Sequence, residues 1–328
     1  MTIFAILLNP TIDQIYAIEN FKVGGTFKVQ SKSIFPVGKA ISFALGVREL
    51  APKNEDLEVV ALIGKEDKSL YSHFLESKKI KFNLIPVEGQ TRSNKTINDP
   101  LNNTTTHIRE QGFEVHSDSL ESVLEYLLKI GKKDDICVFS GSLPPNSPTS
   151  IYFNLIEGCT KQNMITALDS SGPALIEGVR AHPTIIKPNL KELSQILDKP
   201  SLNEGIFQQE NTQEEALEKI IERAKPLIRS SIEILLITLG SKGAICITKN
   251  HIFTGNIQLN KVIDTVGSGD AFLAGFILKV FYKKPIKVCF RNALASGAAN
   301  TQTVGPGILK REIFEKLLDK VKIKEIQL

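Results

Sequence analysis

Short apolar runs rich in β-branched residues recur along this chain: Ile3 to Leu8, Leu57 to Ile63, Ile136 to Phe139, Ile165 to Leu168, Thr184 to Ile186, Ile234 to Thr238 and Ala244 to Thr248. Most are separated by segments of helical period. Ser119 to Ile130 sets Leu120, Val123, Leu124, Leu127 and Leu128 on one face, and Thr212 to Ile228 does so with Leu217, Ile220, Ile221 and Ala224. Apolar strands that alternate with helices pair in parallel and are covered on both faces, so the pattern predicts an α/β fold around a mostly parallel sheet. At 328 residues the chain can bury the core of one large domain without disulfide support.

Two stretches break this rhythm. Residues 14–35 and 91–113 alternate like strands, carry Gly, Asn and Thr, and have no helical stripe between their strands. They are predicted to insert β-strands beside the main sheet, either as a functional cover or as no more than surface hairpins. With no internal repeat, low-complexity tract or linker, residues 1–328 are expected to form a single domain.

Charge and cysteine usage narrow the classes of function. The net charge of +4 is not gathered into any long Lys/Arg run, so nucleic acid is not indicated. Small phosphorylated molecules remain compatible with the charge, because a pocket for them needs only two or three well-placed cations. Cys137, Cys159, Cys246 and Cys289 form no C-x-x-C pair and the histidines show no metal-ligand spacing, so neither zinc nor disulfides are expected. The apolar segment Met1 to Pro10 lacks a basic leader and is stopped by Asn-Pro, and no apolar run is long enough to span a bilayer. A soluble, cytoplasmic protein with no membrane partner is expected.

The chemistry concentrates around residue 270. Asp264-Thr265-Val266-Gly267-Ser268-Gly269-Asp270 runs into the apolar segment Ala271 to Phe276. Gly267 and Gly269 let the backbone approach an anion, and the helix that follows turns its first unpaired N–H groups and positive dipole end toward that anion. Asp270 stands where a carboxylate takes the proton of an attacking hydroxyl. The plain alternative is an Asp that caps the helix. The loop does not end in Gly-Lys-Ser/Thr, so it is not a P-loop.

Other motifs carry less by themselves. Asn189 and Glu192 share one face at a helix start, where they serve either as oxygen ligands for a cation or as a capping box. Thr238-Leu239-Gly240-Ser241-Lys242-Gly243 suits a turn beneath a nucleotide or a hairpin into Ala244 to Thr248. The small residues between Asn292 and Asn300 suit the flat face of adenine or close helix packing.

In their order along the chain these motifs resemble the ribokinase, or PfkB, family of carbohydrate kinases over nearly the whole length. The resemblance implies a three-layer sandwich with a mostly parallel central sheet, a small β-strand lid at about 14–35 and 91–113, and a homodimer joined through that lid. It implies transfer of the γ-phosphoryl group of ATP, with Asp270 as base, Gly267, Ser268 and Gly269 as anion hole, and Mg²⁺ organised by Asn189 and Glu192. Lys187, Asn189, Thr238, Gly240 and Gly243 would lie along the nucleotide, with Leu294 and Ala298 at its adenine.

On the acceptor side the resemblance is to the 1-phosphofructokinase and tagatose-6-phosphate kinase branch. Asn9-Pro10-Thr11-Ile12-Asp13 matches that branch's opening, in which Asp13 accepts hydrogen bonds from sugar hydroxyls. Thr91-Arg92-Ser93-Asn94 matches its second lid strand, and Ser140 to Pro145, including Ser142, its Ser-Gly-Ser-Leu-Pro-Pro turn, with Asn146 in place of glycine. The run Val37-Gly38-Lys39-Ala40-Ile41-Ser42 departs from the branch pattern Gly-Gly-Lys-Gly-x-Asn, losing two glycines and an amide. Lys28, Lys39 and Arg92 are expected to grip a phosphate on the acceptor, alongside Gly38 and Ser42. The implied acceptor is of the fructose 1-phosphate, fructose 6-phosphate or tagatose 6-phosphate type. A neutral sugar, inositol or nucleoside acceptor is the rival, as is a catalytically silent sensor.

Overall fold

Every residue of the first strand, β1 (Ile3–Leu7), is buried. Ile3, Ala5 and Leu7 pack into one core, and Phe4 and Ile6 into another. Apolar side chains on both faces require a helical layer above and below the strand, and the computed structural model has that arrangement. It describes all residues except 52–55, 201, 204, 211, 230–231 and 327–328.

The chain leaves β1 for two strands of a second sheet, β2 (Thr11–Ala17) and β3 (Ser31–Val37), and returns through α1 (Lys39–Leu50) to β4 (Leu57–Gly64). After α2 (Lys68–Ser77) and β5 (Lys81–Val87) it visits the second sheet again with β6 (Ser93–Asp99) and β7 (Thr104–Ile108). Strand–helix alternation follows: α3 (Ser117–Ile130), β8 (Ile136–Ser140), α4 (Ile151–Lys161), β9 (Ile165–Asp169), α5 (Gly172–Val179), β10 (Ile185–Ile186), α6 (Leu190–Ile196), α7 (Ile206–Gln209), α8 (Gln213–Arg229) and β11 (Ile234–Thr238). The last third holds β12 (Ala244–Thr248), β13 (Ile252–Asn256), α9 (Ser268–Phe281), α10 (Ile286–Asn300), α11 (Arg311–Leu318) and β14 (Lys322–Ile326).

The large sheet has ten strands in the order β14-β13-β12-β11-β10-β9-β8-β1-β4-β5. All pairings from β11 to β5 are parallel, while β12, β13 and β14 are added antiparallel. Residues of α1, α2, α9, α10 and α11 fill the core on one face, and those of α3 to α8 fill the other. The fold is thus the mixed α/β sandwich that the sequence predicts.

The inserted strands form a separate sheet, β3-β2-β6-β7. Its strands span 11–17, 31–37, 93–99 and 104–108, so the first insertion begins before residue 14 and the second closes before 113. The strand expected over 184–186 is confined to Ile185–Ile186, since Pro183 and Pro188 bracket it and a proline donates nothing to a ladder. β5, β13 and β14 have no counterpart among the sequence-predicted strands. β14 is a Lys-bearing edge, a composition that discourages further pairing.

Parallel strands place their carboxyl ends along one edge of a sheet, where ligands bind in open α/β folds. Here that edge receives Asn9 after β1, Ser142 after β8, Asp169 at the end of β9, Lys187 after β10 and Thr238 at the end of β11.

Candidate active site

A cluster of ion pairs occupies this edge, with Asp169, Lys187 and Asp270 buried and Lys39 half-buried. Asp169, 1 % exposed, accepts from Lys39 Nζ at 2.8 Å and pairs with Lys187 Nζ at 3.1 Å, both through Oδ1. Its Oδ2 is buried without a hydrogen-bond partner, an acceptor that a bound ligand's donor would satisfy. Burial works against the charge of Asp169, but the Lys187 and Lys39 ammonium groups outweigh it and hold the carboxyl below its usual range. Burial likewise opposes the charge on Lys39, yet Asp169, Asp270 and Glu192 surround it and hold its proton above the normal value.

Asp270 completes the cluster from the first turn of α9. It is buried, and burial pushes its carboxyl up to about 7. Lys39 and Lys187 pull that value down, and Asp169 adds to the rise. A carboxylate tuned to neutrality can both take and release a proton at physiological pH. The preceding loop fits closely. Gly267 is left-handed at φ 79°, and a Cβ there would collide with the backbone nitrogen of Gly307. A Cβ on Gly269 would lie 3.5 Å from the Lys187 ammonium, so α9 begins against that cation. The Ser268 N–H is taken by the Thr265 carbonyl at 3.2 Å, which leaves the N–H groups of Gly269 and Asp270 as the helix-start donors without an intrahelical acceptor.

Two motifs far apart in sequence meet next to this cluster. Asn189 and Thr238 form an isolated parallel bridge, and Thr238 N–H donates to the Pro188 carbonyl at 3.0 Å. Asn189 and Glu192 are a complete capping box: Asn189 Oδ1 accepts from Glu192 N–H at 2.9 Å, and Glu192 Oε2 from Asn189 N–H at 2.8 Å. Both side chains therefore have a structural occupation that the metal-binding expectation did not require. Among the described residues no group of three or more His, Cys, Asp or Glu forms a metal cage. Exposed oxygen donors in ones and twos do fit Mg²⁺, which is held by one or two carboxylates together with phosphates and waters.

Gly240 and Gly243 both have positive φ and shape the turn of the β11–β12 hairpin. Leu294 and Ala298 lie on α10 and are largely buried, with Leu294 packed toward Gly255 of β13.

The acceptor candidates gather at the root of the small sheet. Asp13 Oδ1 accepts from Thr11 Oγ1 at 3.0 Å and Asn94 Nδ2 at 3.1 Å. Arg92 donates to the carbonyls of Pro10 and Asn9, each at 3.1 Å, so part of its fork is structural. Asn9 Nδ2 donates to Ser142 Oγ at 3.2 Å and to the Leu143 carbonyl at 2.9 Å, pinning that turn to β1.

Gly38 has φ 141°, and a Cβ there would meet Leu7 at 2.8 Å. Val37, Ala40 and Ser42 are all buried, and Gly307 packs directly on the Ser42 backbone. Of the three cations expected at one acceptor phosphate, Lys39 is ion-paired with Asp169, Arg92 is bonded at the β1–β2 junction, and Lys28 stands exposed on the loop between β2 and β3.

Sequence reasoning missed Asp169. Its signal was Asp169-Ser170-Ser171-Gly172 directly after an apolar parallel strand, the place where such a sheet presents polar groups to a ligand.

The profile of the pfkB family carbohydrate kinases matches residues 7–312. 1-Phosphofructokinase of Bacillus subtilis is 26 % identical over 321 residues, 98 % of this chain and 99 % of that protein. Tagatose-6-phosphate kinase of Staphylococcus epidermidis is 27 % identical over 326 residues, 99 % of this chain and 100 % of that one. Among solved structures, phosphofructokinase-2 from Escherichia coli in complex with substrates and products superposes with a TM-score of 0.86 at 22 % identity, covering 97 % of this chain and 99 % of that chain. A tetrameric inhibited form of the same enzyme superposes at 0.84 and 21 % identity, covering 97 % and 98 %.

Proposed function

Because the chain belongs to the pfkB family of carbohydrate kinases, we propose that it transfers the γ-phosphoryl group of ATP to a hydroxyl of a phosphorylated hexose of the fructose 1-phosphate, fructose 6-phosphate or tagatose 6-phosphate type. The observation that carries this reading is the Asp270 carboxyl, buried and near neutrality in its proton affinity, beside Lys39 and Lys187 at the start of α9. The named activities of the two relatives support the acceptor class.

In this reading Asp270 accepts the acceptor's hydroxyl proton as its oxygen bonds to the γ-phosphorus and the bond to ADP breaks. The N–H groups of Gly269 and Asp270, with Lys39 and Lys187, stabilise the charge on the transferring group. Asp169 keeps both lysines charged and directed. Asp13 orients sugar hydroxyls, while the donors that Arg92 does not give to Asn9 and Pro10 face the acceptor's phosphate. Ser142, Gly38 and Ser42 shape the wall between acceptor and cluster.

Asn189 and Glu192 would meet Mg²⁺ carried on the nucleotide, which when bound neutralises phosphate charge. Thr238, Gly240 and Gly243 would follow the phosphates and ribose, and Leu294 and Ala298 the adenine.

We further read the small sheet as a lid of the same kinase domain in a cytoplasmic enzyme, and as its homodimer contact. β7 is exposed along its whole length, and Ile34, Leu101 and Ile108 present apolar surface there. No described helix is long and apolar enough to cross a membrane.

The test is ADP release with Mg-ATP over a panel of hexose phosphates, free sugars, inositols and nucleosides. The expected result is activity confined to a hexose phosphate. Activity only on neutral acceptors would overturn the acceptor class, and binding without turnover on any acceptor would overturn the kinase.

A further inference from the structure

The chain crosses between the small sheet and the main body four times, and three of these crossings are tied to the short stretch from Gly64, at the end of β4, to Tyr71, on α2. Tyr71, fully buried on α2, directs its hydroxyl at the Thr11 carbonyl at 2.7 Å and the Val37 carbonyl at 3.2 Å. Thr11 and Val37 are register partners where β2 and β3 enter the sheet. Asp67, just before α2, accepts from Thr91 N–H at 2.8 Å through Oδ2, and Gly64 N–H donates to Thr91 Oγ1 at 3.1 Å. Thr91 leads into β6, and the neighbouring Arg92 carbonyl accepts from Ile12 N–H of β2 at 2.9 Å.

Each tie sits one or two residues from a group that the kinase reading places at the acceptor or at the transferring phosphoryl group. Thr11 is two residues before Asp13, Val37 two before Lys39, and Thr91 one before Arg92. We propose that Tyr71 and Asp67 are positioning residues for the acceptor: without touching it, they lock three lid roots so that Asp13 and Arg92 converge on one ligand. This rests on the kinase reading for its consequence but not for its geometry.

The buried hydroxyl is a specific device, since a Phe at position 71 would fill the same apolar space between α2 and the sheet. The Asp67 carboxylate at a backbone N–H is a charge-assisted bond of the stronger kind. Losing the Tyr71 hydroxyl frees the roots at Thr11 and Val37, and weakening the Asp67 bond frees the root at Thr91, while the ten-stranded core stays intact, so the error falls on the acceptor's binding and not on the nucleotide's.

The experiment compares Tyr71→Phe and Asp67→Asn with the wild-type chain in two measurements. In steady-state kinetics each variant should raise KM for the hexose phosphate about tenfold, while KM for Mg-ATP and kcat at saturating acceptor stay within about twofold. In hydrogen exchange without any ligand, amides at 11–13, 37–38 and 91–94 should exchange about tenfold faster, while those of β8 and β9 do not change. A wild-type enzyme silent on every hexose phosphate would remove the kinase reading, and hydrogen exchange would still decide whether the roots are locked. Root amides that exchange at the wild-type rate, or KM values for ATP and acceptor that rise together, would overturn the proposal.

Discussion

Replacing Lys39 by Met should move the acid limb of the rate upward in pH. In the wild-type chain burial lifts Asp270 from 3.8 to about 7, while Lys39 is the strongest of the groups pulling it back. A base must be ionised to act, so the rate falls about tenfold for each pH unit below that value. Methionine keeps the stem of the side chain and removes the charge. An opposite charge at close range shifts a carboxyl by about 1–3 units, so its loss should raise the limb by about that much. Each unit corresponds to about 1.4 kcal/mol. At pH 7 the ionised fraction would drop from about one half to between about one tenth and one thousandth. The assay is kcat at saturating substrates from about pH 5 to about pH 10, so that weaker binding by the variant does not enter. If the limb stays where it is, or moves down, while KM alone rises, Lys39 only holds substrate and the account of its field at Asp270 is refuted.

The same shift has a consequence for stability. The folded-state value of Asp270 lies above its unfolded value of 3.8, so the group stabilises the fold fully below about pH 4 and that contribution is lost as pH rises through about 7. Asp270→Asn removes the cost of ionising a buried carboxyl, and thermal melts should show it more stable than wild type at pH 8, by up to about 4 kcal/mol, with the gain gone at pH 4. Equal melting curves at both pH values would contradict the buried charge.

Glu192→Gln keeps a side-chain oxygen able to cap, so stability should change by less than about 0.5 kcal/mol. If Glu192 also meets the nucleotide's metal, the magnesium concentration for half-maximal rate should rise about tenfold, and an unchanged dependence would reduce Glu192 to its cap. Gly267→Ala should destabilise by about 1–3 kcal/mol in denaturant melts, because the new Cβ meets the Gly307 backbone at a left-handed φ.

What could be read in advance was whatever is local. The apolar runs became strands because their patterns suit burial on both faces, and Asp270 after Gly267 and Gly269 announced itself because a turn and a helix start are decided within a few residues. The capping box at Asn189 and Glu192 was legible as one of two readings, since both uses need the same three-residue spacing.

The ion cluster was not legible. Asp169 and Lys39 are 130 residues apart, and only the neighbourhood of β9 and α1 makes them partners. For that reason Lys39, plausible at an acceptor phosphate by motif alone, lies against Asp169 and Asp270. β14 escaped notice because Lys322-Ile323-Lys324-Glu325-Ile326 is a short, half-polar edge strand whose pairing with β13 depends on a remote register. The roles of Tyr71 and Asp67 needed the lid roots to be in place before their oxygens had anything to hold.

The most direct test of the central claim follows the phosphoryl group itself. ATP labelled at the γ-phosphoryl is incubated with the hexose phosphate that supports turnover, and the label is traced in the sugar product for the wild-type chain and for Asp270→Asn. The account predicts a labelled hexose bisphosphate formed in step with ADP, slowed by about 10²- to 10⁴-fold in the variant. Label released only as inorganic phosphate, or transferred to the sugar by Asp270→Asn at the wild-type rate, would contradict it.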